Sequence, residues 1–132
     1  MNILIAGGLG FIGRHLSRHL VCKGHQVTIL TRKDPSYSGA VSTLHWDGQS
    51  FHSDHQWDVV VNLCGLDIGA SRWSIKRKQA LLDSRLAPTQ ALVDWILAQP
   101  KAKRPRLLNA SAIGFYQDSK QSQTESNYAN SA

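Results

Sequence analysis

Cysteine, methionine and long apolar stretches are scarce in this chain of 132 residues, which has two cysteines and one methionine. Cys22 and Cys64 lie far apart and match no metal-binding spacing, so we expect two reduced thiols in a cytoplasmic protein and no metal site. No apolar run approaches the roughly 20 residues that span a bilayer, and no basic-then-apolar leader opens the sequence. The sequence therefore predicts no membrane partner.

Acidic residues are also few, since nine aspartates and glutamates stand against 15 lysines and arginines, for a formal net charge of +6. Such a balance is one sign of a nucleic-acid-binding protein. The basic residues cluster at 72–78 and 101–106, without the aromatic–basic interleaving that stacks bases. A solvated helix face and a loop explain this charge better, so nucleic acid stays the weaker alternative, and part of the charge could serve an anionic cofactor.

Short apolar runs predict strands at 2–6, 26–30, 42–46, 58–63 and 106–110. The run DVVVNL at 58–63 is apolar almost throughout, which is typical of a strand buried on both faces. Between the strands lie segments with helical periodicity, and strands that alternate with helices favour a parallel sheet. We therefore predict an α/β fold, a Rossmann-type doubly wound parallel sheet of about five strands.

Two helices are predicted. The first begins at Phe11, with Ile12, Leu16 and Leu20 recurring every four residues, and Gly24 ends it. The second covers 71–97 but contains Pro88, which removes a backbone donor and predicts a kink or two helices meeting near residue 86. Residues 117–132 are polar and aperiodic, so we expect a dinucleotide-binding domain at 1–116 followed by a polar loop or tail.

Glycine, by contrast, is concentrated where the first strand ends, at Gly7, Gly10 and Gly13 in GGLGFIGRHL. Gly7 permits a tight turn, Gly10 lets a diphosphate approach bare backbone, and Gly13 lets the helix pack against the strand. The helix N-terminus, with the backbone of Phe11 and Ile12, presents free N–H groups and a partial positive charge to phosphates. The Gly-Lys-Ser/Thr ending of the alternative phosphate loop is missing, so the pattern predicts dinucleotide binding.

The end of the second strand predicts which dinucleotide is bound. Folds that bind NAD favour an Asp or Glu there, which bonds the ribose hydroxyls. This strand ends instead in Thr31-Arg32-Lys33, and Asp34 comes late, before Pro35, where it suits a turn. A carboxylate would repel a 2′-phosphate, whereas Arg32 can bind it in bidentate fashion and stack on adenine. The sequence therefore favours NADP(H) over NAD(H).

Together with the glycine turn and Thr31-Arg32, the stretches DVVVNLCG at 58–65 and RWSIKRKQALLDSR at 72–85 carry a family resemblance. The chain resembles the N-terminal part of the atypical extended short-chain dehydrogenases/reductases, the NAD(P)-dependent epimerase family proteins, which are sugar-nucleotide-epimerase-like. The resemblance covers nearly all of residues 1–116. The glycine pattern is shared across the superfamily. More specific to this branch are Arg72-Trp73, Arg77-Lys78, Ser84-Arg85 and Thr89.

The resemblance implies further cofactor contacts. By it, the loop Leu63-Cys64-Gly65 passes the ribose and nicotinamide side of the cofactor, with Cys64 where alanine is usual. Asp47 approaches the adenine. Arg85 lies where other extended members carry a cofactor-contacting Asn, with a solvated helix charge as its alternative. The predicted cofactor-binding residues are Gly7, Gly10, Phe11, Ile12, Gly13, Thr31, Arg32, Asp47, Leu63, Cys64, Gly65 and Arg85.

The resemblance also implies a catalytic residue, because a Ser or Thr after the fifth strand bonds the reacting oxygen beside a Tyr-x-x-x-Lys pair. Ser111 is therefore the best catalytic candidate, although an isolated serine there also suits a cap. Tyr116 and Lys120 have the required spacing, at which an ammonium lowers the pKa of a tyrosine on the same helix face. Ser111 precedes Tyr116 by only five residues and no helical period surrounds them. We therefore do not expect this pair to be catalytic.

Three functions remain open at this point. The first is the NADP(H)-binding domain of an epimerase- or dehydratase-like oxidoreductase, incomplete for catalysis because the C-terminal substrate region is absent. The others are a non-catalytic dinucleotide-binding sensor and a basic nucleic-acid binder. For the first, the expected partners are the dinucleotide and a small sugar-nucleotide-like substrate. An exposed sheet edge would favour a homodimer.

Overall fold

A computed structural model of the protein describes residues 1–32, 37–38, 41–111, 120, 122 and 124. The chain forms β1 (Asn2–Ala6), α1 (Phe11–Cys22), β2 (Gln26–Thr31), β3 (Tyr37–Ser38), β4 (Val41–His45), β5 (Val59–Asn62), α2 (Ile75–Ala98), a 3₁₀ turn (Lys101–Lys103) and β6 (Arg106–Asn109). No helix in this described part is both long and apolar enough to span a bilayer.

The strands form one sheet in the order β3-β4-β2-β1-β5-β6. All neighbouring strands pair in parallel except β3, which pairs antiparallel with β4 at the edge. The predicted parallel α/β sheet of five strands is therefore confirmed. Tyr37 and Ser38, which lie outside the predicted strands, add a short sixth strand through their pairing with Ser42 and Val41.

The two helices cover opposite faces of the sheet. Side chains alternate along a strand, so Leu4 of β1 faces one side and Ile5 the other. Leu4 belongs to the core with Leu92 and Trp95 of α2. Ile5 belongs to a second core, against which Leu16 of α1 packs. This arrangement is the doubly wound architecture that the alternating pattern predicted.

The long connection from β4 to β5 contains no helix and is held by aromatic side chains. Phe51 is 5% exposed, and its ring lies 6.2 Å from Trp46, 5.9 Å from Trp57 and 5.1 Å from Trp95, between centroids. The indole N–H of Trp95 also donates to the carbonyl of Ser53 at 3.2 Å. Aromatic pairs of this kind contribute about 0.5–1.5 kcal/mol each beyond their burial. They fix the loop against the core and α2.

The first helix has the predicted bounds but a different buried face. Ile12, which the four-residue period groups with Leu16 and Leu20, is 64% exposed. The fully buried residues of α1 are Gly13 and Ser17, with Leu16 and Leu20 half-buried beside them. Small residues face the sheet because α1 lies very close to the glycine turn.

The second helix is unbroken from Ile75 to Ala98, so the predicted division into two helices is wrong. It begins four residues later than expected at 71, after Ser74, whose hydroxyl accepts a hydrogen bond from the backbone N–H of Arg77 at 3.1 Å. Pro88 is buried inside the helix. Pro88 has no N–H to donate to the carbonyl of Ser84. At the next residue, the Thr89 hydroxyl donates to the neighbouring carbonyl of Arg85 at 2.6 Å, which adds a bond beside the one that is missing.

Candidate functional site

A groove of about 840 Å³ lies at the carboxyl ends of β1, β2 and β5. Parallel strands bring their carboxyl ends to one edge of the sheet, which is where open α/β sheets bind ligands. Four of the predicted cofactor residues, Phe11, Ile12, Gly13 and Arg85, do not line the groove. Those that line it are Gly7, Gly10, Thr31, Arg32, Asp47, Leu63, Cys64 and Gly65.

Gly7 makes the turn out of β1. Its φ of +77° is in the left-handed region, which favours glycine. A Cβ at this position would lie 2.8 Å from the carbonyl carbon and oxygen of Leu63. The turn therefore packs directly on the backbone that leaves β5, and this contact forms the base of the groove.

Gly13 supplies the close contact between α1 and the turn. A Cβ on Gly13 would lie 2.5 Å from the Cα of Gly8, which is closer than real side chains approach. Gly13 thus has the packing role that the sequence predicted, although it does not line the groove.

The N-terminus of α1 opens on the groove without a side-chain cap. Gly10 occupies the cap position, and no acidic residue lies in the first turn. The first intrahelical bond runs from the N–H of Arg14 to the carbonyl of Gly10 at 3.0 Å, so the preceding N–H groups have no acceptor within the helix. The side chains of Phe11 and Ile12 are 82% and 64% exposed, and neither lines the groove. The turn is therefore free to bind an anion.

Arg32 directly follows β2 and lines the same groove. Its side chain is exposed and makes no ion pair with any residue in the described part of the chain. Its positive charge reaches Cys64, whose pKa it acts to lower. The groove thus has two positive features, the N-terminus of α1 and this guanidinium.

Asp47 lines the groove, but its carboxylate is occupied by its own turn. Its Oδ1 accepts hydrogen bonds from the backbone N–H groups of Ser50, at 2.8 Å, and Gln49, at 2.7 Å. These bonds, that from Ser50 first, lower the pKa of Asp47. Because the pKa is lowered on folding, this stabilisation is present above the ordinary carboxyl pKa and is lost as pH falls through the lowered value. The geometry makes Asp47 a residue that shapes the groove's rim.

Cys64 is a half-buried thiol in the groove wall. Burial raises the pKa of Cys64 from its ordinary value of 9.0 to about 11, while the charge of Arg32 opposes the rise. The thiol is therefore neutral at physiological pH and is a poor nucleophile, since the thiolate is the reactive form.

The two cysteines are expected to differ in alkylation. At neutral pH, iodoacetamide should modify the exposed Cys22 rapidly and Cys64 slowly, because Cys64 is half-buried and its pKa is raised to about 11. Peptide mass spectrometry over time measures both rates. The Cys64 rate should increase as pH rises towards 11, and equal rates at neutral pH would contradict this environment for Cys64.

Asn62, at the end of β5, was not predicted as a site residue. It is 3% exposed, and its amide nitrogen donates to Thr89 Oγ1 at 2.9 Å and to Asn109 Oδ1 at 2.7 Å. Its amide oxygen accepts from the backbone N–H of Cys64 at 3.1 Å. One buried amide therefore joins β5, β6 and α2 and fixes the groove loop. The sequence feature that could have indicated Asn62 is a polar residue at the end of an apolar strand. Such a residue is buried with the strand, and buried polar groups are nearly always hydrogen-bonded.

Replacing Asn62 with alanine should lower the free energy of unfolding by about 2–3 kcal/mol, because three bonds are lost at a buried position. Urea denaturation measures this. Gln79→Ala is the matched control, since Gln79 makes one exposed amide bond to Asp83 on the same helix, for which about 0.2–0.5 kcal/mol is expected. Equal small losses for both variants would contradict a fixing role for Asn62.

Arg85 supports the same loop from α2. Its guanidinium donates to the carbonyls of Leu81 at 3.1 Å and Leu66 at 3.3 Å. The neighbouring Ser84 hydroxyl accepts from the N–H of Leu66 at 3.0 Å. A Cβ on Gly65 would lie 2.9 Å from the guanidinium carbon. The geometry thus makes Arg85, although exposed, a positioning residue for the groove loop, and its predicted contact with the cofactor stays a prediction.

The predicted catalytic residues are only partly within the described chain. Ser111 is exposed and lies two residues beyond β6. The N–H of Ala110 donates to the carbonyl of Asn62 at 3.0 Å, which continues the sheet pairing towards Ser111. Lys120 is exposed, and Tyr116 lies outside the described residues. Within the described ranges, no three His, Cys, Asp or Glu side chains converge as metal ligands would.

Comparison with known proteins decides the family. The profile of the NAD dependent epimerase/dehydratase family matches residues 3–131. The chain belongs to this family. Among its relatives, epimerase family protein Mb2239 of Mycobacterium bovis is 39% identical over 122 residues, which cover 89% of this chain and 38% of that protein. The present chain therefore spans well under half the length of that relative.

Two solved structures resemble this member of the epimerase/dehydratase family over nearly its whole length. Human epimerase family protein SDR39U1, crystallised with NADPH, is 30% identical at a TM-score of 0.81 and covers 98% of this chain and 43% of that one. The nucleoside-diphosphate sugar epimerase of Corynebacterium glutamicum is 28% identical at a TM-score of 0.75 and covers 98% of this chain and 26% of that one. These comparisons confirm the predicted family and the Rossmann-type fold.

Proposed function

We propose that this chain binds NADP(H) in the groove and provides the cofactor-binding part of an epimerase- or dehydratase-like oxidoreductase. The observation that carries the proposal is that an uncapped helix N-terminus lines the same groove as Arg32, which makes no ion pair within the described residues. The human relative crystallised with NADPH supports the choice of cofactor. The residues fit the group, because Gly7 and Gly10 leave the backbone of the turn bare.

In this proposal each wall of the groove binds one part of the dinucleotide. The free N–H groups at the start of α1 hold the diphosphate, since backbone donors and the helix dipole both favour anions there. Arg32 binds the 2′-phosphate through paired hydrogen bonds. Trp46 and the turn closed by Asp47 form the adenine end, and the backbone of residues 63–65 flanks the nicotinamide ribose. The nicotinamide, when bound, supplies a hydride acceptor or donor.

A sugar nucleotide is the proposed substrate class, supported by the C. glutamicum relative, a nucleoside-diphosphate sugar epimerase. Ser111, just past β6, is the proposed hydrogen-bond donor to the reacting oxygen. Because relatives are more than twice as long as the matched stretch, we propose that turnover requires a substrate-binding region that these 132 residues do not provide.

Titration calorimetry of the 132-residue chain with NADPH and, separately, NADH tests the proposal. NADPH should bind at least about tenfold more tightly, a difference of about 1.4 kcal/mol, because only NADPH carries the phosphate for Arg32. Tighter binding of NADH would overturn the cofactor assignment. Binding of neither would overturn the groove as a dinucleotide site.

A further inference from the structure

A second cavity lies on the face of the sheet that α1 covers, between α1 and the strands β2 and β4. Its volume is about 380 Å³, within the size range of roughly 300–1,000 Å³ typical of small-molecule sites. Of the residues that line it, only Leu9 also lines the dinucleotide groove. We call it the flank cavity, defined by Leu9, Arg14, Ser17, Arg18, Val21, Cys22, Ile29 and Val41, with Gly8 at its base.

One polar atom in its wall lacks a partner. Ser17 is 4% exposed, and its hydroxyl makes no hydrogen bond with any residue in the described part of the chain. A helical serine commonly donates to the carbonyl four residues earlier, but Ser17 does not. Buried hydroxyls are rarely left unpaired, so this one points to a ligand that supplies an acceptor.

Two positive charges stand beside Ser17 on the same helix. Arg14 and Arg18 are four residues apart, a spacing at which like charges repel. Arg14 is held across the turn by a bond from its Nε to the carbonyl of Leu9 at 2.8 Å. Neither guanidinium forms an ion pair within the described ranges, and α1 has no acidic residue in its first turn. An anion between them would relieve the repulsion.

The rest of the flank cavity is apolar. Val21, Ile29 and Val41 contribute side chains from α1, β2 and β4. A fully hydrated ion such as inorganic phosphate would leave this wall in contact with water, whereas an apolar group would cover it. The wall and the charges together specify a ligand with one anionic end and one apolar end.

We propose that the flank cavity binds a small amphipathic carboxylate, an aliphatic or aromatic acid. Its carboxylate accepts hydrogen bonds from the Ser17 hydroxyl and from Arg14 and Arg18, and its apolar body packs on Val21, Ile29 and Val41. This site is separate from the dinucleotide groove and does not depend on what that groove binds.

Octanoate is the probe, titrated by calorimetry into the 132-residue chain. Octanoate should bind, while 1-octanol should bind about tenfold more weakly and inorganic phosphate should not bind, because both ends of the ligand are needed. Arg18→Gln should weaken octanoate binding about tenfold, and Ser17→Ala about fivefold. The matched control is Arg72→Gln, an exposed arginine outside the cavity, which should leave binding unchanged.

The melting temperature of the ligand-free chain separates a binding role of Ser17 from a structural one. Ser17→Ala should leave it unchanged or raise it, because the variant removes an unpaired buried hydroxyl. A marked decrease would overturn the proposal, as would an absence of octanoate binding or equal binding in Arg18→Gln and Arg72→Gln.

The two cysteines report the two sites separately. Cys22 lines the flank cavity and Cys64 lines the groove. Octanoate should slow the alkylation of Cys22 and leave the alkylation rate of Cys64 unchanged. The effect of octanoate on Cys22 should persist when NADPH is present. If NADPH displaces octanoate, the anion site belongs to the cofactor's own phosphate, and the proposal of a separate site is wrong.

Discussion

Gly10→Ala is expected to weaken the binding of both NADPH and NADH by at least tenfold, about 1.4 kcal/mol, while the chain still folds. Gly10 lines the groove at the start of α1, so a methyl group there occupies the space where the diphosphate approaches the bare N–H groups. Its φ of −72° is allowed for alanine, and the new Cβ would lie 3.3 Å from the carbonyl oxygen of Gly7. This contact is tight, so the Gly7 carbonyl must shift by a few tenths of an ångström and the melting temperature should fall slightly, while calorimetry should show the loss of affinity.

The matched control for that variant is Gly69→Ala. A Cβ on Gly69 would lie 3.6 Å from the Asp67 carboxylate, an ordinary contact, and Gly69 does not line the groove. This variant should bind both dinucleotides as the parent chain does. Full affinity in Gly10→Ala would mean that the diphosphate does not lie on the turn, and the proposed site would be wrong.

Arg32→Ala is expected to weaken NADPH binding about ten- to a hundredfold and to leave NADH binding within about twofold. A hydrogen bond to a charged group contributes about 1.5–3 kcal/mol, and only NADPH carries the 2′-phosphate that Arg32 would bind. Parallel titrations with the two dinucleotides measure the difference. Because Arg32 is exposed, the variant should keep the stability of the parent chain.

Arg106→Ala controls for the loss of one positive charge. Arg106 is exposed at the start of β6, whereas the groove lies at the carboxyl ends of the strands. Its replacement should change the affinity for either dinucleotide little, since the charge is distant and screened by salt. Equal losses of NADPH and NADH in Arg32→Ala would contradict a phosphate-specific role.

Local sequence pattern predicted most of the sheet and one of the helices. β1 and α1 were predicted within a residue or two, because each has a clear period and the glycine turn separates them. β3 was not predicted, because a strand of two residues is too short to show the alternation of apolar and polar side chains. The continuity of α2 was not predicted, because a proline inside a helical segment indicates a break in the sequence pattern. The packing that keeps Pro88 within one helix is tertiary and is not visible in the local sequence.

The groove was predictable for a different reason. Residues at the carboxyl ends of parallel strands meet in space whatever lies between them, so Gly7 and Arg32 could be placed together from their positions alone. Cys64 was placed beside them by the family resemblance. The hydrogen bonds of Asn62 could not be predicted from the sequence, because its contact with Asn109 depends on the register of β5 against β6. Burial of Ser17 likewise depends on how closely α1 approaches the sheet, which the contact of Gly13 with Gly8 determines.

The most direct measurement is amide chemical-shift mapping of the chain as NADPH is added. If bare backbone donors at the start of α1 bind the diphosphate, the largest shifts should fall on the N–H groups of residues 11–13, with a second set at Arg32 and Cys64. Shifts concentrated in the basic segment 72–78, with the turn unaffected, would contradict the account.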